Sequence, residues 1–100
     1  MGDVQAGISC KPGFMKLVVE NADETARFYC DVFGMVKTDT LDLEPLLEVF
    51  LGWPGHDFQL VLVAYKRAFP IQNGNNWGPI GFETNDLDGL IARALAAGAT

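Results

Sequence analysis

His56 is the only histidine in this 100-residue chain, and it lies in the turn-forming run Pro54-Gly55-His56-Asp57. An imidazole can act as a general base or a metal ligand. Either task needs a partner, and no cysteine, carboxylate or second histidine stands at ligand spacing from His56. The residue therefore reads as a solvated or turn-capping side chain. Cys30 and His56 form no recognisable nucleophile motif, and no glycine-rich phosphate loop follows a strand-like run. Glu48 alternates with apolar neighbours, so it faces either solvent or a cleft. Trp53 and Trp77 stand beside turns, where a large flat side chain covers a ligand or simply packs. Asn73, Asn75 and Asn76 offer polar groups to a ligand or shape a turn. These residues present no reaction centre, and no catalytic residue is assigned.

The elements that must position such side chains are written twice. Gly13 to Asp23 and Gly78 to Asp88 share a glycine, a β-type run, a polar hinge with Asn and Asp, and the start of an amphipathic helix. Pairing Phe14 with Pro79 superimposes Leu17 on Phe82, Asp23 on Asp88 and Ala26 on Ile91 without a gap. Two copies of one unit tend to place a pocket at their seam, where both contribute side chains. In the first copy, residues 14–20 read as a strand, and Asn21 with Glu24 forms a helix cap and capping box. Ala26, Tyr29, Cys30 and Phe33 build one apolar stripe, which Gly34 terminates. Tyr29 and Phe28 read as helix packing. Three β-type runs follow, at residues 35–43, 45–51 and 58–65, giving a βαβββ unit. In the second run Leu47, Val49 and Leu51 share one face, and Glu48 and Phe50 share the other. A connector rich in Pro, Asn and Gly leads to the second copy, with a strand expected at residues 79–84 and a helix capped near Asn85 and closed by Gly98.

Composition narrows the function classes. Thirteen acidic residues against seven basic ones give a net charge of −6, and the basic residues are scattered, so neither nucleic acid nor an anionic membrane is an expected partner. No apolar run approaches the roughly 20 residues that span a bilayer. The amino end lacks a signal-peptide core, and Cys10 and Cys30 make neither a metal-type pair nor an obvious disulfide, which fits a soluble protein in the reducing cytoplasm. Residues 1–12 read as a flexible tail and residues 13–100 as one domain. The first module takes residues 13–66, the connector 67–77 and the start of the second module 78–100.

Three stretches carry a family resemblance. They are Val18-Val19-Glu20-Asn21 leading into Ala26-Arg27-Phe28-Tyr29-Cys30-Asp31-Val32-Phe33-Gly34-Met35, then Glu48 to Pro54, then Gly78 to Asp88. In order and together they resemble the vicinal oxygen chelate superfamily of glyoxalase I, bleomycin-resistance proteins, extradiol dioxygenases and fosfomycin-resistance enzymes. The resemblance implies an α+β fold in which a βαβββ module is duplicated around a cleft, with the second module incomplete in this chain. It also implies a metal seat, with a His opening the first strand of each copy and a carboxylate on each fourth strand. At those positions this chain carries Phe14, Gln59 and Pro79. Phe and Pro side chains have no lone pair to donate and Gln offers only a neutral carbonyl, so neither a metal nor any other cofactor is expected.

The function so implied is a metal-free small-molecule-binding protein of the glyoxalase and bleomycin-resistance type. It would hold a partly apolar ligand with Phe14, Gln59, Pro79, Trp53, Trp77 and Asn76. Two alternatives stay open: a glyoxalase-type lyase or isomerase, or a dioxygenase-related enzyme; and a structural dimer module with no ligand. The apolar positions Leu87, Leu90, Ile91 and Leu95 exceed what the readable strands can cover, so a homodimer is expected, which would also protect an edge at the 58–65 strand.

Overall fold

A computed structural model of the chain describes residues 8, 12–67, 71–72, 74 and 80–100. Among these, four strands form: β1 (Phe14–Val18), β2 (Val36–Asp42), β3 (Leu46–Gly52) and β4 (Gln59–Tyr65), the last a continuous apolar run from Leu60 onward. Helix α1 (Ala22–Phe33) joins β1 to β2, and helix α2 (Leu87–Ala96) follows β4. The strands form one mixed sheet in the order β1-β4-β3-β2. β1 pairs parallel with β4, while β3 pairs antiparallel with both β4 and β2. A parallel neighbour requires a long crossover, and the path through α1, β2 and β3 supplies it.

The core forms where α1 lies on one face of the sheet. Ala22 and Ala26 are small enough to bring the helix close to Val49, Leu51, Leu60 and Leu62, and Met15, Leu17 and Leu47 complete the layer. β4 is the buried centre, with Leu60 to Ala64 all inaccessible, as expected for a strand flanked on both sides. The 58–65 run is thus an interior strand rather than the expected edge, because β1 folds back beside it; the edges are β1 and β2. β2 is exposed along its whole length and carries a register shift between Lys37 and Asp39, where the Thr38 hydroxyl donates to the Phe50 carbonyl.

Both helices start by the same device. The Asn21 side chain accepts from the Glu24 amide at 3.0 Å, and Asp86 Oδ1 accepts from the Gly89 amide at 2.9 Å. Pairing Phe14 with Pro79 places Asn21 on Asp86 and Glu24 on Gly89, so the repeat extends to the capping hydrogen bond. The cap of α2 is accordingly Asp86 and not Asn85. α1 ends at Gly34 with φ 71°, the left-handed conformation that glycine adopts without a Cβ penalty. The strand half of the repeat is not matched: residues 80–84 form no strand, because no strand of the sheet pairs with them. Phe82 instead stacks on Phe33, with ring centroids 3.9 Å apart and planes 13° from parallel.

Leu62 is fully buried at the centre of the core layer, so Leu62→Ala should lower the unfolding free energy by about 2–5 kcal/mol through lost transfer energy and an unfilled cavity. Asn21→Ala removes only a cap and should cost about 1 kcal/mol. Urea unfolding followed by circular dichroism measures both, and equal losses would show that the cap is not the minor term. Trp53 donates its indole N–H to the Phe33 carbonyl at 2.8 Å in a half-buried setting. Trp53→Phe, which strands that carbonyl, should destabilise by about 1–3 kcal/mol in the same assay, whereas an unchanged midpoint would mean that solvent replaces the bond.

Candidate functional site

Opposite the helix, the alternate positions of the strands form a second face. β1 contributes Phe14, Lys16 and Val18, β4 contributes Gln59, Val61, Val63 and Tyr65, and β3 contributes Glu48 and Phe50. Register fixes their neighbours. Phe14 stands beside Gln59, Lys16 and Phe50 flank Val61, and Val18 and Glu48 flank Val63. The floor, Val61 and Val63, is buried, while Phe14 is 65% exposed and Val18 48% exposed at the β1 edge. Neither helix covers this apolar surface among the described residues: α1 packs on the other face.

One charged pair crosses the face. Lys16 Nζ lies 2.8 Å from Glu48 Oε2, with the lysine side chain half-exposed and the glutamate side chain only 9% exposed. The same ammonium sits 5.9 Å from the centre of the Phe14 ring, within cation–π range. Alternation along the sequence alone leaves Glu48 facing either solvent or a cleft. It lies buried on this face, where an unpaired carboxylate would be costly and Lys16 supplies its counter-charge. Lys16, Val18, Phe50, Val61 and Val63 were not picked out from sequence, although the period-two pattern Phe14-x-Lys16-x-Val18 carries the signal.

Of the residues expected to line a cleft, the structure brings Phe14 and Gln59 together on this face. Trp53 lies with the helix-side cluster instead, edge-on to Phe82 and bonded to Phe33. Asn76, Trp77 and Pro79 lie outside the described residues, as do Cys10, Asn73, Asn75 and most of the amino-terminal tail. His56 is exposed, and its backbone N–H closes a turn on the Trp53 carbonyl across Pro54 and Gly55, whose φ of 81° suits glycine.

The helix side carries a separate aromatic cluster of Phe28, Tyr29, Phe33, Trp53 and Phe82. Beside it an apolar recess of about 190 Å³ is lined by Met15, Met35, Trp53, Leu60, Ile80 and Phe82 among others. Burial raises the Tyr29 hydroxyl above its ordinary range. Burial also raises the Cys30 thiol, Asp31 adds to the effect and Lys37 offsets part of it, so Cys30 is held as the unreactive thiol at neutral pH.

Among the described residues no three His, Cys, Asp or Glu side chains converge, and no buried side-chain nitrogen or oxygen lacks a hydrogen bond. The position beside Gln59 that would need a donor holds the Phe14 ring. These residues do not fit a divalent-metal seat.

Comparison with known proteins agrees with this architecture. The chain is 30% identical over 95 residues to 4-hydroxyphenylpyruvate dioxygenases of Caenorhabditis elegans and Caenorhabditis briggsae, a match covering 86% of this chain and 24% of each enzyme. It therefore spans about a quarter of the length of those relatives. TnmS3, an antibiotic binding protein from Streptomyces sp. CB03234, superposes with a TM-score of 0.68 over 94% of this chain and 74% of its own, at 21% identity. Methylmalonyl-CoA epimerase from Mycobacterium tuberculosis superposes with a TM-score of 0.52 over 61% of this chain and 45% of its own, at 19% identity. At these identities both superpositions speak for the fold alone. The family model of the Glyoxalase/Bleomycin resistance protein/Dioxygenase superfamily matches residues 11–100, and the chain, with its βαβββ unit, belongs to that superfamily.

Proposed function

We propose that this chain is a metal-free small-molecule-binding protein that holds a partly apolar ligand against the sheet face opposite α1. The observation that carries the reading is the exposed apolar rim of Phe14 and Val18, beside the buried floor of Val61 and Val63, with Gln59 as a neutral polar neighbour of Phe14. An aromatic or aliphatic ligand laid on it would remove that surface from water, at about 25 cal/mol per Å² of apolar area. The similarity of fold to an antibiotic binding protein supports the same class. Glyoxalase-type or dioxygenase chemistry is less well supported, because Phe14 cannot donate to a metal and Gln59 brings no negative charge. Asn76, Trp77 and Pro79 are proposed as further contacts.

We further propose that the protein acts as a homodimer in the reducing cytoplasm. Leu87, Ile91 and Leu95 lie 65%, 49% and 57% exposed along one side of α2, and no residue of α2 is buried. Among the described residues no helix is long and apolar enough to cross a membrane.

Native mass spectrometry of gently purified protein should show a dimer with a retained small organic molecule, and elemental analysis should show no stoichiometric metal. One equivalent of zinc, nickel, manganese or iron would overturn the metal-free reading, and a ligand-free monomer would overturn the rest. Phe14→Asp should weaken ligand retention by placing a charge on the apolar face, with little loss of stability because the residue is largely exposed.

A further inference from the structure

Lys16 is placed unlike a surface lysine. Its stem lies on the apolar face beside Val61, and its ammonium is drawn inward by a carboxylate that is itself nine-tenths buried. A free lysine would extend into water to keep its hydration. Glu48 instead holds the ammonium across the face at 2.8 Å. An ammonium carries three donors, and Glu48 takes one at 2.8 Å. The remaining donors belong to a half-exposed group that reaches over the Phe14 ring. The arrangement is a fixed cation at the rim of an apolar platform, aimed where a flat molecule lying on Phe14 and Val18 would present its edge.

We propose that Lys16, positioned by Glu48, is the acid-recognising group of this face, and that the ligand class is an aromatic molecule bearing one carboxylate or sulfonate. The proposal rests on the open face being a ligand site at all. A charge-assisted hydrogen bond to Lys16 distinguishes such a molecule from its neutral analogue by about tenfold or more in affinity. The two members of the pair then act in opposite directions. Glu48 positions the ammonium but repels an incoming acid, so Glu48→Gln, whose amide oxygen still accepts from Lys16, should improve binding of an acid. Lys16→Met keeps the apolar stem and should abolish the preference.

The test is fluorescence titration of the full chain with anilinonaphthalene sulfonate and with phenylnaphthylamine, which share an aromatic frame and differ in the acidic group. Expected are tighter binding of the sulfonate by the wild type, about tenfold weaker sulfonate binding by Lys16→Met with the neutral probe unchanged, and tighter sulfonate binding by Glu48→Gln. If both probes bind but Lys16→Met shifts them equally or not at all, the proposal is overturned while the apolar site stands. If neither probe binds the wild type, the ligand-site reading itself fails. Should a single variant unfold, the double substitution Lys16→Met with Glu48→Met replaces the ion pair by apolar volume and retains the fold. Retained sulfonate preference in that variant would equally overturn the proposal.

Discussion

Parallel pairing of β1 with β4 is the constraint on which both faces of the molecule depend. It sets Met15 and Leu17 against the helix side with Leu60 and Leu62, and at the same stroke sets Phe14 beside Gln59 and Lys16 beside Val61 on the other side. Side chains alternate with period two, so a slip of one residue would drive Lys16 into the layer under Ala22 and Ala26 and turn Met15 and Leu17 outward. The core thus fixes the register, and the register fixes the open face. A side chain that never touches α1, such as Glu48, finds its partner only because Leu47 and Val49 on either side of it are locked beneath the helix.

Much of this was legible in the residues. The βαβββ order, the stripe on α1 and the cap at Asn21 follow from patterns spanning a few positions, and each is realised by contacts of equally short range. Residues 80–84 show where that reasoning stops. Their composition suits a strand, but a strand is defined by its neighbour, and these residues have none in the sheet; Phe82 packs on Phe33 through its ring instead of through backbone pairing. The start of α2, by contrast, needs only Asp86 and an amide three residues on, and it forms.

The site was less legible than the fold for the same reason. Phe14 and Gln59 were paired by family resemblance, and their adjacency is a property of the sheet. Lys16 and Glu48 are far apart along the chain, and no motif links them; only the placement of β1, β4 and β3 side by side brings them within 2.8 Å. Trp53 ran the other way. Its position after β3 suggests the mouth of a cleft, but the indole N–H needs an acceptor when half-buried, and the nearest is the Phe33 carbonyl at the end of α1.

The outer margin of β2 has a consequence for how this chain meets others. An uncapped strand edge invites backbone-to-backbone addition, which leads to fibrils as readily as to defined complexes. β2 interrupts its own hydrogen-bonding rhythm at Thr38 and carries Lys37, Asp39 and Asp42 along a fully exposed strip. A neighbouring strand would have to match a broken spacing and desolvate those charges. Sheet extension at this margin is thereby disfavoured, which protects a protein that keeps so much oily surface in contact with water from polymerising through it.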